Sequence, residues 1–224
     1  MIKDIVIAID GHSGCGKSTT SKIVASYFNY NYLDSGAMYR SVTLYFIRKK
    51  INYVEKDKIK NHLNQIDIQF KYIEGIQSTF LNDENVEREI RSDKISNLVS
   101  KYSSIPEIRR YLVTLQKKLG EKKKIVVEGR DIATVVFPDA EVKIFMTAEI
   151  EVRAKRTFQD MKQSNPDITY SDVLNNLMER DLKDSTRKDS PLKVADNSII
   201  VDTTNLEIQE QADKIIDLIE KKFS

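Results

Sequence analysis

A short segment near the start of the chain combines three glycines with a lysine and a serine at fixed spacing. Residues 11–18 read GHSGCGKS, fit the pattern G-x-x-x-x-G-K-[ST], and lead into a predicted helix over Ser18–Phe28. The glycines let successive backbone N–H groups point at an anion, and the helix directs its positive end there too. Lys17 then reaches the β- and γ-phosphates of a nucleotide, while the Ser18 hydroxyl binds Mg²⁺. The residues assigned to this nucleotide-binding loop are Gly11, His12, Ser13, Gly14, Cys15, Gly16, Lys17, Ser18 and Thr19.

Loops of this kind serve kinases, GTPase switches and ATP-driven motors, so a second feature must decide between them. The sequence contains neither D-x-x-G nor N-K-x-D, which GTPases use to sense the γ-phosphate and to read guanine. Motors usually place an acid at the end of a hydrophobic strand, but the predicted strand Val142–Ala148 ends without one. The predicted strand Lys124–Glu128 leads instead into Gly129, Arg130 and Asp131. An arginine there suits a second phosphorylated molecule, which favours a kinase.

Phosphoryl transfer between two anions needs several cations around the reacting groups. Arginine suits this task because its planar fork binds phosphate oxygens in pairs. Residues 153 and 156 share one helical face, and residues 180, 184 and 187 would share another if one helix continued through them. The candidate arginines are Arg40, Arg109, Arg130, Arg153, Arg156, Arg180 and Arg187.

Three further blocks accompany the glycine-rich loop. They read DSGAMYR at residues 34–40, EGRDIATVVFPD at residues 128–139 and ERDLKDSTR at residues 179–187. The four blocks span nearly the whole chain in the order found in bacterial-type cytidylate kinases, members of the P-loop nucleoside monophosphate kinase superfamily. The chain resembles that family, and the block at residues 128–139 is the most specific part of the resemblance.

The resemblance implies an activity and a catalytic set. It implies in-line transfer of the γ-phosphate of ATP to CMP or dCMP, giving ADP and CDP or dCDP, with Mg²⁺ bound. Arg40 and Arg130 would hold the acceptor phosphate, with Ser35 lining the same pocket. Two further arginines resemble those that close on the phosphates from a lid. The implied catalytic residues are Lys17, Arg130, Arg153, Arg156 and Arg180.

The resemblance also implies how the nucleoside is read. Arg180 and Asp184 would contact the ribose hydroxyls. The cytosine edge offers one amino donor and two acceptors, which a carboxylate, arginines and a hydroxyl satisfy together. The residues implied for the base are Ser100, Arg109, Asp131 and Arg187. Ala133, Glu128 and Thr157 depart from the usual family residues, and these changes leave the reaction class unchanged.

The elements that must position these residues alternate along the chain. Short runs rich in Val and Ile, without clean alternation, predict buried parallel strands. They lie at Asp4–Asp10, Tyr32–Asp34, Lys124–Glu128, Val142–Ala148 and Asn197–Thr203. Helical patterns lie between them, one through Ile108–Leu119 and another through Ile208–Phe223. The pattern predicts an α/β fold with a doubly wound, five-stranded parallel sheet.

Two segments interrupt this alternation. Runs at residues 66–72, 78–81 and 84–89 predict short antiparallel strands, joined by turns at Glu74-Gly75 and Asn82-Asp83. A polar stretch at residues 159–170 predicts helix ends and a loop that form a mobile lid. We therefore predict one kinase domain over residues 1–224. Within it lie a monophosphate-binding region at about 35–110 with a β insert at about 65–90, and a lid at about 153–170.

The composition excludes several other classes of protein. The chain has 224 residues, of which 31% are charged and 40% hydrophobic, with a net charge of +2. This balance predicts a globular protein without broad affinity for nucleic acid or membranes. A single cysteine and an N-terminal apolar run too short to span a bilayer predict a cytoplasmic location. The family resemblance favours a monomer.

Two alternatives to CMP kinase activity stay open at this point. The nearer one is a P-loop kinase for another acceptor, such as UMP, dTMP, AMP or shikimate. The farther one is a nucleotide-binding module without catalytic activity, which the missing switch motifs disfavour.

Overall fold

The chain folds into two compact units in a computed structural model that describes residues 4–74, 76–163 and 165–224. One unit comprises the described residues up to Leu33 together with Leu119–Ser224, and the other comprises Asp34–Lys118. The strands are β1 (Val6–Gly11), β2 (Asn31–Asp34), β3 (Ile68–Ile73), β4 (Ile76–Leu81), β5 (Glu84–Asn85), β6 (Ile125–Gly129), β7 (Val142–Thr147) and β8 (Ile199–Asp202). The α-helices are α1 (Lys17–Tyr27), α2 (Ser35–Arg48), α3 (Lys56–His62), α4 (Asp93–Ser103), α5 (Pro106–Gly120), α6 (Ile150–Lys162), α7 (Tyr170–Thr186) and α8 (Ile208–Phe223).

The five-stranded parallel sheet has the strand order β2-β6-β1-β7-β8. The central strand β1 is buried along its whole length, and Ile7 lies opposite Val126 on one side and Val142 on the other. A strand covered on both faces favours apolar side chains on both sides of the sheet, as at residues 6–9, which explains the absence of alternation in the sequence. The predicted fold class is confirmed, and the predicted limits of its five strands differ from the observed ones by at most two residues.

Helices pack against this sheet, and apolar side chains of the helices and strands together form the hydrophobic core. α1 packs against α8, where Ile215 and Ile219 are fully buried with Ile7, Ile9 and Ile144 of the strands. Because the strands are parallel, their carboxyl ends lie at one edge, and the loops that follow β1 and β6 emerge there. That edge is where ligands bind in open α/β sheets.

The unit Asp34–Lys118 contains α2, α4 and a three-stranded antiparallel sheet in the order β3-β4-β5. α2 packs against α4, and Phe46 stacks on Tyr102 with ring centroids 5.9 Å apart. The predicted small antiparallel sheet is confirmed. The predicted turn at Glu74-Gly75 involves Gly75, which lies outside the described residues, as does Ser164 in the predicted lid.

One predicted strand boundary was wrong. The strand predicted at residues 84–89 ends at Asn85, because the Glu87 carboxylate accepts from the N–H of Thr79 on β4 at 3.0 Å and so takes the place of a further strand residue. Residues 180 and 184 share one helix, α7, which ends at Thr186, so Arg187 follows it as the C-cap residue. No helix in the described ranges combines the length and the apolar character that crossing a membrane requires.

Candidate active site

The glycine-rich loop connects β1 to α1 and adopts a backbone that ordinary residues avoid. Gly14 has φ +76° and Gly16 has φ +90°, in the left-handed region that favours glycine. A Cβ atom on Gly16 would lie 2.4 Å from Oε1 of Gln211, so a side chain there would also collide. Gly16 is the N-cap of α1 and supplies no side-chain cap, which leaves the positive end of the helix open to an anion.

Lys17 is buried at the start of α1 and is folded back onto the loop. Its Nζ donates to the carbonyl oxygen of His12 at 2.6 Å and lies 3.7 Å from the Cys15 sulfur. Burial lowers the pKa of Lys17, and it also lowers the pKa of His12. The Lys17 ammonium is therefore held away from water, where its attraction to a phosphate oxygen would be stronger than in solvent.

Residues far away in the sequence hold the loop in place. Thr203 Oγ1, just after β8, donates to the carbonyl oxygen of Cys15 at 3.0 Å, and Thr20 Oγ1 donates to Gln211 Oε1 at 3.0 Å. Cys15 is fully buried within the loop. Ser18 is half-buried and Thr19 is exposed on the first turn of α1.

Arg130 joins the loop after β6 to the glycine-rich loop and to α7. Its Nε donates to Asp184 Oδ2 at 2.9 Å, and its Nη2 donates to the Ser13 hydroxyl. Burial opposes the charge of Arg130, but the Asp184 carboxylate raises its pKa. Burial also opposes the charge of Asp184, whose pKa is nevertheless lowered by Arg130, Arg187 and Arg180.

The blocks at residues 128–139 and 179–187 meet in the same unit. Arg187 lies just beyond the end of α7, and its guanidinium is 3.8 Å from Asp131 Oδ1 and 3.8 Å from Asp184 Oδ1. Three residues predicted for the base and the ribose, Asp131, Asp184 and Arg187, are therefore neighbours. Arg180 belongs to the same charged group, since it lowers the pKa of Asp184.

Arg153 and Arg156 lie in the first two turns of α6, and both donate hydrogen bonds to backbone carbonyl oxygens. Arg153 is 6% exposed and donates to the carbonyl oxygens of Ala148 at 2.8 Å and Ser13 at 3.2 Å. It also pairs with Asp181 at 2.6 Å. Arg156 donates to the carbonyl oxygens of Thr203 and Leu206, at 2.8 and 3.0 Å. Their predicted role in a lid remains a prediction.

Asp10, at the end of β1, fixes the loop that carries Arg130 and Asp131. Its two carboxylate oxygens accept from the N–H groups of Ile132 at 2.9 Å and Ala133 at 2.8 Å. Burial, as the largest influence, raises the pKa of Asp10 to about 6. Sequence reasoning missed the role of this residue: its place at the end of an apolar strand is visible in the sequence, but its partners in the loop after β6 are not.

In the unit Asp34–Lys118, the block at residues 34–40 forms the start of α2. Asp34 Oδ1 accepts from the N–H of Ala37 at 2.8 Å and caps the helix, and Ser35 is buried in its first turn. Arg40 pairs with Asp34 at 3.1 Å, and Arg91 reaches the same carboxylate at 3.3 Å. No motif drew attention to Arg91.

Ser100 and Arg109 lie in the same unit, on α4 and α5, and each contacts Ser103. Arg109 is 2% exposed, and its Nη1 donates to the carbonyl oxygen of Ser103 at 3.3 Å. The Ser103 hydroxyl in turn donates to the carbonyl oxygen of Ser100 at 3.2 Å. The guanidinium also lies 5.6 Å from the centroid of the Tyr39 ring. Two residues predicted to contact the base thus share one neighbourhood.

The donor set suits a magnesium ion that takes few protein ligands. Within the described ranges, no group of three or more His, Cys, Asp or Glu side chains is arranged to hold a metal. The Ser18 hydroxyl makes no hydrogen bond to another described residue. Mg²⁺ keeps several waters and binds nucleotide phosphates, so one hydroxyl beside the glycine-rich loop fits it.

Comparison with known proteins shows which family the chain belongs to. The sequence model of the cytidylate kinase family matches residues 7–221. A protein of Cytophaga hutchinsonii named cytidylate kinase is 47% identical over 219 residues, covering 97% of this chain and 94% of its own. One of Fusobacterium nucleatum subsp. nucleatum with the same name is 45% identical over 220 residues, covering 98% and 97%. The solved structure of shikimate kinase from Bacteroides thetaiotaomicron has a TM-score of 0.51 at 13% identity, covering 96% of this chain and 98% of its own, and shows the fold alone.

The parallel sheet, with the glycine-rich loop at residues 11–18 (the phosphate loop) after β1, has the fold of P-loop kinases. The relatives of the chain place it in the nucleoside monophosphate kinase class. Within that class, the chain belongs to the cytidylate kinase family. It is an enzyme with ATP as phosphate donor and small nucleotides as substrates. The resemblance predicted from four sequence blocks is confirmed.

Proposed function

We propose that this enzyme transfers the γ-phosphate of ATP to CMP or dCMP, giving ADP and CDP or dCDP. The observation that carries the proposal is the pair of contacts made by Arg130. This arginine donates both to Ser13 of the phosphate loop and to Asp184, the residue assigned to the ribose. A cation held between the donor loop and a nucleoside-binding residue is what transfer between two phosphates requires.

On the donor side, the open end of α1, Lys17 and Arg153 bind and orient the phosphates of ATP. Arg153 is fixed by the carbonyl of Ser13, so its charge stays beside the loop. Ser18 would hold Mg²⁺, which neutralises charge on the β- and γ-phosphates when bound. Positioning and charge stabilisation then supply the rate.

On the acceptor side, Arg40 and Arg130 bind the monophosphate, and Ser35 lines its pocket. An attacking phosphate oxygen is already ionised near neutral pH, so the reaction needs no general base. Within the predicted lid at about 153–170, we expect the polar stretch 159–170 to move, while Arg153 at its start stays beside the loop. Closure of that stretch would exclude water and so limit wasteful hydrolysis of ATP.

Base selection rests on two groups of residues, each within its own unit. Asp131 and Arg187 form one group, and Ser100 and Arg109 form the other. A carboxylate matches the amino group of cytosine, whereas uracil presents an acceptor there. The mismatch would cost about 1–3 kcal/mol for each buried hydrogen bond lost. Arg180 and Asp184 contact the ribose.

The test is a panel of acceptors. ADP release from ATP–Mg²⁺ is measured with CMP, dCMP, UMP, dTMP, AMP, GMP, shikimate and no acceptor. We expect strong turnover with CMP and dCMP alone. In the Lys17→Met variant, loss of the buried cation should lower kcat at least about a hundredfold. Lys22→Met, which removes an exposed lysine from the same helix, is the matched control and should retain turnover.

Turnover with a different acceptor would preserve the phosphate-loop mechanism and overturn the assignment of the base-reading residues. If folded protein binds ATP but releases no ADP with any of the acceptors, the result would instead favour a non-catalytic binding module. A monomeric state, a cytoplasmic location and the absence of nucleic-acid or membrane partners remain predictions from the sequence.

A further inference from the structure

Asp34 is a buried carboxylate shared by two arginines. Its Oδ1 accepts from the N–H of Ala37 at 2.8 Å, while its Oδ2 lies 3.1 Å from Arg40 Nη2 and 3.3 Å from Arg91 Nη2. Asp34 is 4% exposed. Two positive charges therefore converge on one carboxylate, so Arg40 shares the charge of Asp34 with Arg91.

Arg91 is itself held firmly. Its guanidinium pairs with Glu87 Oε1 at 2.6 Å, and Glu87 Oε2 accepts from the backbone N–H and the hydroxyl of Thr79, at 3.0 and 2.6 Å. A continuous series of polar contacts thus runs from β4 through Glu87 and Arg91 to Asp34 and Arg40. Such a series fixes the position of the shared carboxylate.

Arg40 keeps most of its fork available for a ligand. Both of its contacts with Asp34 come from the same nitrogen, Nη2. Its Nε is buried and has no hydrogen-bond partner in the described part of the chain. A Cβ atom on Gly36 would lie 3.2 Å from Arg40 Nη1, so the guanidinium lies over the first turn of α2, at the positive end of that helix.

We propose that Arg91 is a positioning residue for the acceptor phosphate, because it shares Asp34 with Arg40 and so leaves the Arg40 fork available to bind. The proposal rests on the proposed function through the role of Arg40. Without Arg91, the whole charge of Asp34 would face Arg40, and the phosphate would have to displace a stronger ion pair.

The test compares Arg91→Gln with Arg48→Gln. Arg48 is the matched control because it also joins α2 to this region, through the exposed residues Glu84 and Glu89, but does not contact Asp34. We expect Arg91→Gln to raise the KM for CMP about tenfold, with kcat and the KM for ATP nearly unchanged. Arg91→Lys keeps the charge and should restore most of the affinity. Arg48→Gln should leave all three constants unchanged.

A second measurement needs no nucleotide. Burial opposes the charge of Asp34, but Arg40 and Arg91 lower its pKa, with help from the Ala37 N–H. The stability from this group is present above the pKa of the unfolded chain and is lost as pH falls. Removing Arg91 raises the pKa of Asp34, so acid unfolding should begin at higher pH than in wild type. Arg48→Gln should shift it less, because its partners are exposed.

An unchanged KM for CMP in Arg91→Gln, or equal shifts in Arg91→Gln and Arg48→Gln, would overturn the proposal. So would acid unfolding of Arg91→Gln at the wild-type pH. If wild type phosphorylates another monophosphate instead of CMP, the proposed function fails, and the same variants are compared with that acceptor. If it phosphorylates none, the acid-unfolding comparison alone decides whether Arg91 controls Asp34.

Discussion

Asp10 shows how a residue outside every recognised motif supports the residues inside one. Its carboxylate holds the N–H groups of Ile132 and Ala133 and thereby the loop that begins with Arg130 and Asp131. Asp131 disfavours ionisation of Asp10, and Lys17 favours it, but burial dominates and raises its pKa to about 6. Asp10 therefore titrates within the range of pH in which the folded protein can be studied.

We predict that Asp10→Asn destabilises the protein in a pH-dependent way. An amide offers one oxygen, so one of the two buried N–H groups loses its acceptor, at a cost of about 1–3 kcal/mol. The pKa of Asp10 is about 6 in the folded wild type and near 3.8 in the unfolded chain. Between these two values the folded protein keeps the Asp10 proton that the unfolded chain has lost. Raising the pH from about 4 to 6 therefore lowers the wild-type unfolding free energy, by up to about 3 kcal/mol. Urea unfolding should show the difference between wild type and Asp10→Asn shrinking over this interval.

The control for this prediction is Asp213→Asn, which removes an exposed carboxylate from α8. It should parallel wild type at every pH. A difference between wild type and Asp10→Asn that stays constant from pH 4 to 7 would contradict a raised pKa.

At the residue scale, the site residues that could be predicted from the sequence are those that belong to short contiguous motifs. The phosphate loop and the blocks containing Arg40, Arg130 and Arg187 are short patterns whose chemistry is visible in consecutive residues. Asp10 and Arg91 were missed because their partners lie 122 and 57 positions away, respectively. A separation of that size leaves no periodic signal in a single sequence.

At the element scale, α7 matters most because it carries Arg180 and Asp184. Its first turn has a reciprocal cap, in which Thr169 Oγ1 accepts from the Asp172 N–H at 3.2 Å and the Asp172 carboxylate accepts from the Thr169 N–H at 3.2 Å. This cap satisfies two backbone donors that the helix leaves without partners. The start of α7 is therefore set by its own sequence.

We predict that Thr169→Ala lowers the unfolding free energy by about 1 kcal/mol through loss of this cap. Thr186→Ala is the control, since Thr186 lies at the other end of α7 and only donates to the carbonyl oxygen of Leu182. Chemical denaturation of the two variants measures the difference. Equal stabilities would mean that packing of α7 against α6, rather than the cap, fixes its start.

The elements were predicted best where hydrophobic periodicity is strong. The buried strands and α8 follow directly from runs of Val, Ile and spaced apolar residues. The end of β5 was not predictable, because it depends on the Glu87 carboxylate folding onto Thr79. The end of α7 before Arg187 also depends on contacts between distant side chains, because Arg187 lies beyond the helix and approaches Asp131 and Asp184.

At the scale of the whole molecule, the chain leaves the first unit after Leu33 and re-enters it at Leu119. The two parts of that unit are joined near these points, where the Asn31 N–H donates to the Lys124 carbonyl oxygen at 2.8 Å. The phosphate loop and Arg130 belong to this unit, and Arg40 belongs to the other. A substitution at Arg40 therefore tests acceptor binding without changing the unit that contains the phosphate loop.

We predict that ATP–Mg²⁺ and CMP each raise the melting temperature of the intact enzyme. At about 100 times Kd, a ligand adds about 2.7 kcal/mol, or roughly 5–10 °C for a chain of this size. Arg40→Gln should lose most of the shift caused by CMP and keep the shift caused by ATP. Thermal unfolding with each ligand alone measures both. Loss of both shifts would show that Arg40 supports the fold rather than the acceptor.

Each of three arginines assigned to phosphates is paired with a carboxylate of its own unit: Arg40 with Asp34, Arg130 with Asp184, and Arg153 with Asp181. These carboxylates act as built-in counter-ions, so the empty enzyme has little need to collect anions from the surrounding salt. A nucleotide phosphate competes with these resident carboxylates for the arginines, and its base and sugar add binding energy to that competition. Free inorganic phosphate lacks the added binding energy, so we expect it to bind the empty enzyme more weakly than the nucleotides do.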